Sequence, residues 1–257
     1  MKKDDKLKIL TVIQARTSST RFPGKIMLPM GKSNILFSMI ERIRNAGLAG
    51  KIVVATTTNR DDDIIAGQCL KHKVAVFRGH PFDLLDRHYR AAEKYKADAV
   101  VRIPSDSPLI DPKIIDRVIQ YYLENPQYDY VSNLHPATYP EGNPVEIMSF
   151  AALRTAWMEA ARTFERENTT PYIWQNPQKF MIGNVLWETG LDYSTSHRWT
   201  LDYPEDFRFI SAVFNQLDGK NKIFSLGDIL ELLRLKPELK TINQKYAGTF
   251  SYNEQFT

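Results

Sequence analysis

Apolar positions follow two rhythms along this chain, and their alternation predicts most of the architecture. Ile9-Leu10-Thr11-Val12-Ile13 is a short, nearly unbroken apolar run, as expected of a strand buried on both faces. Ile35, Met39, Ile40 and Ile43 then recur at helical spacing. They predict a helix over about 34–46, capped by Ser33 and stopped by Gly47. A second strand is predicted at 51–55. Asp61-Asp62-Asp63 opens the next helix, where negative charge suits the N-terminal dipole; a metal site is the competing reading of those acids. A third strand at 74–77, a helix at 83–95, a fourth strand at 99–103 running on to Asp106, and a helix from Pro112 to about 124 complete the series. Repeated strand and helix of this kind predict an α/β fold with a mainly parallel sheet covered on both faces.

After Asn133 the rhythm breaks. Pro136, Pro140 and Pro144 interrupt a loop, followed by a strand at 145–148, helical pieces at 151–162 and 165–175, and a strand at 180–187. Residues 134–190 thus read as an insertion within one domain spanning 1–257 rather than as a domain of their own. A last strand near 199–201 ends at Asp202, and Pro204 suits the first turn of the following helix. A final helix covers 226–235, and the polar tail after Lys236 is expected to be peripheral.

Composition narrows the function classes. A hydrophobic content of 43% supplies a sizeable core, and the apolar runs are far too short to span a membrane. Met1-Lys2-Lys3-Asp4-Asp5-Lys6 carries no apolar h-region, so no signal peptide is read there. One cysteine, Cys69, allows neither an intramolecular disulfide nor a Cys-based zinc site, and a helix-packing role is expected for it. These features point to a cytoplasmic enzyme. The formal net charge of +4 is spread along the chain with no basic block, which argues against nucleic acid as partner.

The candidate chemistry starts where the first strand ends. Ala15-Arg16-Thr17-Ser18-Ser19-Thr20-Arg21-Phe22-Pro23-Gly24-Lys25 gathers three cations, four hydroxyls and a glycine in one loop. In an α/β sheet ligands bind at that end of the strands, and such a loop suits a polyphosphate; solvated surface charge is the competing reading. Gly31-Lys32-Ser33 resembles the end of a Walker A motif, but six residues rather than four separate Gly24 from Gly31, and Pro29 lies between them, so a P-loop is rejected. Asp106 and Asp202 each follow an apolar segment and precede a turn. Parallel strands would bring both to one edge, where two carboxylates suit Mg²⁺, although aspartates at such places also serve as plain turn residues. Gly79 lacks a Cβ and so admits a base or ribose, or simply makes a turn. Asp86 and Arg87 follow on the next helix, and an Asp83–Arg87 pair at i, i+4 is the alternative role for that arginine. The histidines, His135 and His197 among them, show no metal-ligand spacing.

The pattern Arg16-x-x-Ser19-x-Arg21-x-Pro23-x-Lys25 after a first strand resembles the nucleotide loop of sugar cytidylyltransferases. The spore-coat polysaccharide branch, related to the 3-deoxy-manno-octulosonate and acylneuraminate cytidylyltransferases, is the nearest likeness. Val53-Val54-Ala55-Thr56-Thr57-Thr58-Asn59, Phe77-Arg78-Gly79, the stretch from Ser105 to Pro112, Tyr130-Val131-Ser132-Asn133 and the stretch from Arg198 to Asp206 fit the same branch in order. The resemblance implies a Rossmann-like (GT-A-like) nucleotidyltransferase sandwich, with an insertion that shapes the acceptor pocket and helps form a homodimer. It implies CMP transfer from CTP to a small anionic acceptor such as a sugar acid, with Mg²⁺ on Asp106 and Asp202 and release of pyrophosphate. Lys25, Arg16 and Arg21 would be catalytic. Ala15, Arg16, Ser19, Arg21, Lys25, Gly79, Arg87 and Asp106 would hold the nucleotide. Asn133, Tyr139, Glu146, Arg166 and Asn168 would line the acceptor pocket. Two departures stand out: Ser105 where the branch usually has Gly, and Asn168 where relatives often carry His. A metal-dependent glycosyltransferase and a noncatalytic nucleotide-binding protein are the rival readings. Three cations in one loop exceed what a diphosphate donor needs, and Lys25 with both aspartates is more than a scaffold requires.

Overall fold

The apolar runs of the first half become neighbours in one sheet. The computed structural model describes residues 7–219 and 223–249; Met1–Lys6, where the absence of a signal peptide was read, lies outside them. Strand β1 (Ile9–Gln14) leads through a small hairpin, β2 (Pro29–Met30) and β3 (Ser33–Asn34), into α1 (Ile35–Arg44). Then β4 (Lys51–Thr57), α2 (Asp63–Lys71), β5 (Ala75–Gly79), α3 (Leu84–Tyr95), β6 (Ala99–Pro104) and α4 (Pro112–Glu124) alternate. The second half runs β7 (Tyr130–Ser132), β8 (Glu146–Ser149), α5 (Phe150–Glu159), α6 (Thr163–Glu167), α7 (Pro171–Trp174), β9 (Ile182–Asn184), α8 (Pro204–Leu217), α9 (Leu226–Leu235) and α10 (Glu238–Thr241).

The seven-stranded sheet has the order β5-β4-β1-β6-β8-β7-β9, and β8 alone runs against the rest. The mainly parallel sheet is therefore as expected. Both faces are buried: Ile13, Val54, Val101 and Ile147 pack under α1, α4, α8 and α9, while Leu10, Val12, Val53, Val100 and Met148 pack under α3 and α5. The chain leaves β1 towards β4 and β5, then crosses back to β6 on the other side. The strand order thus reverses between β1 and β6, and a crevice opens beyond their carboxyl ends.

Several expected elements change for local reasons. Asn34, not Ser33, caps α1, its side chain accepting from the Phe37 N–H at 3.1 Å; Ser33 is used in the hairpin. The helix expected over 165–175 splits into α6 and α7 because Thr169 takes a left-handed φ of 67° and Pro171 opens a new turn. The strand expected over 180–187 shortens to β9, since the chain leaves the sheet after Val185 and the Trp187 N–H turns to the Thr138 hydroxyl at 2.8 Å. No strand forms at 199–201. The Leu201 N–H donates to the Asp106 carbonyl (2.8 Å) and the Trp199 N–H to the Glu141 carbonyl (2.8 Å), so two loops take the donors that a strand would have used. Of the tail, 236–249 is described and 250–257 lies outside the described residues. Helix α10 and the turn Gln244–Tyr246 carry no buried residue, as expected of a peripheral segment, but Asn243 between them is buried and Tyr246 stacks on Tyr203 before α8. Cys69 packs on α2 as expected, its thiol pushed up to about 11 by burial. Among the described residues no helix is long and apolar enough to cross a membrane.

Candidate active site

The loop after β1 is held by its neighbours rather than by its own structure. The Ala15 N–H donates to the Ala55 carbonyl at 3.1 Å, continuing the ladder one residue past the strand. Asp62 accepts from both the backbone N–H and the hydroxyl of Thr17 at 2.8 Å, and from the Thr57 hydroxyl. One of the three acids read as a helix start is therefore a buried anchor for the loop. The Thr17 carbonyl in turn accepts the N–H groups of Ser19 and Gly24, both at 2.9 Å, and the Ser19 hydroxyl accepts from the Phe22 N–H. Gly24 sits at φ 72°, in the left-handed region where a side chain is strained, and turns the chain so that Lys25 points inward.

Lys25 is buried, and its Nζ donates to Asp202 Oδ1 at 2.8 Å and to the Leu201 carbonyl. Arg21 reaches the same carboxylate oxygen at 2.5 Å, and Arg198 approaches Oδ2 at 3.4 Å. Burial opposes the Asp202 charge, but Lys25 and Arg21 outweigh it and hold the carboxyl below its usual range. Asp106 lies opposite, beyond β6. Its carbonyl accepts from the Leu201 N–H and the Thr200 hydroxyl (3.1 Å), which ties the Asp202 loop to it. The Asp106 carboxylate is far less supported: the Ser107 hydroxyl at 3.4 Å is its hydrogen-bond donor. Burial raises its pKa; Lys25 opposes that rise and nearby Asp202 adds to it.

Asp106 and Asp202 are the carboxylates here that could hold a divalent cation, Asp106 being the one with no cation bonded to it among the described residues. Among the described residues no group of three or more His, Cys, Asp and Glu gathers as a complete metal cage, so a cation there would draw its remaining ligands from water and phosphate oxygens, as Mg²⁺ does.

A cavity of about 290 Å³ opens beside the pair. Arg21, Asp106 and Asp202 form one wall; Asn133, Tyr139, Glu141 and Asn143 are among its other walls. Asn133 is fixed by two bonds to the segment leading into β8, donating to the Asn143 carbonyl (2.8 Å) and accepting from the Val145 N–H (2.9 Å). The Tyr139 hydroxyl donates to Glu188 at 3.3 Å. Gly142, at φ 102°, lets this loop cross the Asp202 loop, because a Cβ there would lie 2.6 Å from the Trp199 backbone. Ser105, half-buried, is not part of the cavity wall.

The remaining expected site residues divide into two groups. Arg16 is exposed on the loop and close enough to Arg87 to help lower that arginine's pKa to about 10, burial being the larger cause. Two cations that oppose each other at the strand ends favour an anion. Arg87 does not pair with Asp83; its guanidinium donates to the carbonyls of Ala55 (3.4 Å) and Pro81 (3.3 Å), while its Nε is buried without a partner. The room a Cβ on Gly79 would need is filled by the Phe77 ring and the Arg87 stem. Glu146, Arg166 and Asn168 lie outside the cavity wall. Glu146 is buried in the sheet, ion-paired with Arg102 and accepting from the Tyr130 hydroxyl at 2.7 Å. Burial opposes its charge, yet Arg102 and Tyr130 keep its pKa low. Arg166 pairs with Asp83 (2.8 Å from Nε), joining α6 to the start of α3, and the Asn168 amide donates to the Phe164 carbonyl at 3.0 Å.

Sequence reasoning assigned no role to Glu141 or Arg198. Arg198 is buried and grips Glu141 (2.8 Å) and Asp206 (3.0 Å from both Nε and a terminal nitrogen). The spacing Arg198, Asp202, Asp206 was the available signal. Glu141 is pushed up to about 7, first by burial, with Asp202 and Asp206 adding to it against Arg198. Only the fold reveals that environment.

A doubly covered, mainly parallel sheet with a cation-rich loop facing two aspartates across its switch point is the arrangement of a nucleotidyltransferase. The sequence profile of the cytidylyltransferase family matches residues 10–232, and the chain belongs to that family. It is a CTP-dependent nucleotidyltransferase. It is 30% identical over 239 residues to the Bacillus subtilis spore coat polysaccharide biosynthesis protein SpsF, covering 91% of this chain and 97% of that one. The structure of a cytidylyltransferase from Leptospira borgpetersenii superposes with a TM-score of 0.86 at 34% identity, over 91% of this chain and 97% of that one. The 3-deoxy-manno-octulosonate cytidylyltransferase of Trichlorobacter lovleyi is 32% identical over 123 residues, 47% of each chain.

Proposed function

We propose that this enzyme transfers CMP from CTP to a hydroxyl of an anionic sugar acid or similar acceptor, for surface polysaccharide or glycoconjugate synthesis. The observation that carries the reading is the cavity whose wall holds Asp106 and Asp202 together with Arg21 of the cation loop. It leaves room for an acceptor next to where the α-phosphate would lie. The names of the relatives, a spore coat polysaccharide protein and 3-deoxy-manno-octulosonate cytidylyltransferases, support an acceptor of that class.

In the reaction the acceptor oxygen bonds to the α-phosphorus, the bond from that phosphorus to pyrophosphate breaks, and the hydroxyl proton is released. Such a transfer needs alignment and neutralisation of charge more than covalent help. Arg16, Ser19 and Arg21 hold the triphosphate, and Lys25, fixed by Asp202, stabilises the developing negative charge. Asp106 and Asp202 would hold Mg²⁺, which would supply neutralisation of phosphate charge. Asn133 and Tyr139 orient the acceptor. The enzyme is proposed to act as a homodimer in the cytoplasm, where CTP is supplied; sedimentation at assay concentration tests the dimer.

The decisive experiment measures pyrophosphate release from CTP, UTP, ATP and GTP with Mg²⁺ against a panel of sugar acids and phosphate esters. Turnover with CTP and a sugar acid is expected. Turnover confined to another nucleotide, or to a phosphate ester, would overturn the assignment at that point.

A further inference from the structure

We infer that Asn243, in the segment after α9, is a positioning residue for Asp202 and through it for nucleotidyl transfer. The inference rests on the proposed role of Asp202 at the phosphates. The loop from Arg198 to Tyr203 has no sheet register; a single bridge between Glu141 and Arg198 is its link to strand-like pairing. The backbone at Asp202 is therefore held by hydrogen bonds, and Asp206 supplies two of them. Asp206 Oδ2 accepts the backbone N–H of Asp202 at 2.9 Å and of Tyr203 at 3.0 Å, and both carboxylate oxygens accept from Arg198 at 3.0 Å.

Asn243 completes that arrangement from the far end of the chain. Its amide nitrogen donates to Asp206 Oδ1 at 2.9 Å and to the Arg198 carbonyl at 3.0 Å. It thus grips both ends of the loop at once, and it is only 3% exposed. A neighbouring contact works in the same direction: Tyr246 stacks on Tyr203 with centroids 4.0 Å apart and planes at 10°. Tyr203 adjoins Asp202, so the stack restrains the same backbone. Lys245 pairs with Glu205 at 3.0 Å on the outer side. All of these contacts come from residues beyond the part of the chain that matches the family profile, which ends at 232. The enzyme therefore holds an aspartate of its site with a segment that lies beyond the matched residues.

An amide that merely stabilised the fold would change melting temperature and leave chemistry alone. A positioning amide changes how Asp202 meets the phosphates. Asn243→Ala is expected to lower kcat roughly tenfold and to raise severalfold the Mg²⁺ concentration needed for half-maximal activity, with KM for the acceptor little changed. Asn243→Gln, which keeps the donor, should recover part of both. Because a buried variant can lose its fold, Tyr246→Ala is the second probe, with the same direction and a smaller effect, about threefold. CTP affinity measured by titration calorimetry across a Mg²⁺ series gives a readout that needs no acceptor: the variants should require more Mg²⁺ for tight binding. A wild-type enzyme that turns over no acceptor but binds CTP with Mg²⁺ would refute the proposed acceptor class while the calorimetric shift still decides the role of Asn243. Folded Asn243→Ala and Tyr246→Ala enzymes with unchanged Mg²⁺ dependence would overturn the inference.

Discussion

Replacing either site aspartate by asparagine keeps volume and removes charge, yet the two variants should behave in opposite ways towards stability. Asp202 is met by Lys25 at 2.8 Å, Arg21 at 2.5 Å and Arg198 at 3.4 Å, and the carboxylate is nearly inaccessible. Asp202→Asn leaves Lys25 buried beside a neutral amide. Breaking a buried pair from one side costs roughly 3 kcal/mol or more. For a chain of 257 residues that amounts to a fall in Tm of roughly 6–12 °C. Asp106 has one weak hydroxyl partner, and its charge is opposed by burial and by nearby Asp202. Asp106→Asn removes an unfavourable charge, so its Tm should stay level or rise by a few degrees. Both variants should lose turnover, roughly a hundredfold or more at fixed Mg²⁺, because each removes a carboxylate from the phosphate site. Thermal unfolding and pyrophosphate release on the same preparations separate the effects. A stability gained together with activity lost marks a charge kept for function. An Asp106→Asn enzyme that melts several degrees lower, or that turns over like wild type at every Mg²⁺ concentration, would refute the reasoning.

Other consequences can be checked on the same footing. Lys25→Met should reduce kcat roughly a hundredfold or more with a smaller loss of CTP affinity, and the chain should remain folded because Arg21 and Arg198 still face Asp202; an unaltered kcat would remove Lys25 from the chemistry. Glu146→Gln leaves Arg102 buried and unbalanced, so it should cost roughly 3 kcal/mol or more, and Arg102→Met with Glu146→Leu should recover most of it; a stable Glu146→Gln enzyme with a raised acceptor KM would place Glu146 at the acceptor instead. Stability should rise with pH between about 4.5 and 6.5. In that range the unfolded chain binds protons at His88, His135 and His197, whose folded pKa values burial lowers, to about 3 for His88 and about 4 for His197. The folded chain keeps a proton on Glu141, pushed up to about 7, which works the other way. The histidine protons outnumber it, so the net slope is positive and flattens towards pH 6.5, and a flat urea-unfolding profile over the whole range would contradict it.

How much of this was legible in the sequence depends on the distance over which each feature is determined. The strands of the first half were readable because apolar runs such as 99–103 are buried on both faces by local helices, so their pattern survives any detail of packing. The loop from Arg16 to Lys25 was readable because its residue types are concentrated in one place. The ion pair of Glu146 was not readable for the opposite reason: a carboxylate in a polar stretch looks like a recognition group, and only the pairing of β6 with β8 sets Arg102 opposite it. The expected strand at 199–201 failed because its apolar residues are buried without a ladder, and periodicity reports burial rather than hydrogen-bond partners. Asn243 lay beyond such reading altogether. A single amide in a polar tail carries no pattern, and its importance arises from Asp206, 37 positions earlier, whose own place was fixed by Pro204 opening α8. The core of the site therefore rests on local sequence, while the aim of its second aspartate depends on contacts made across the whole length of the fold.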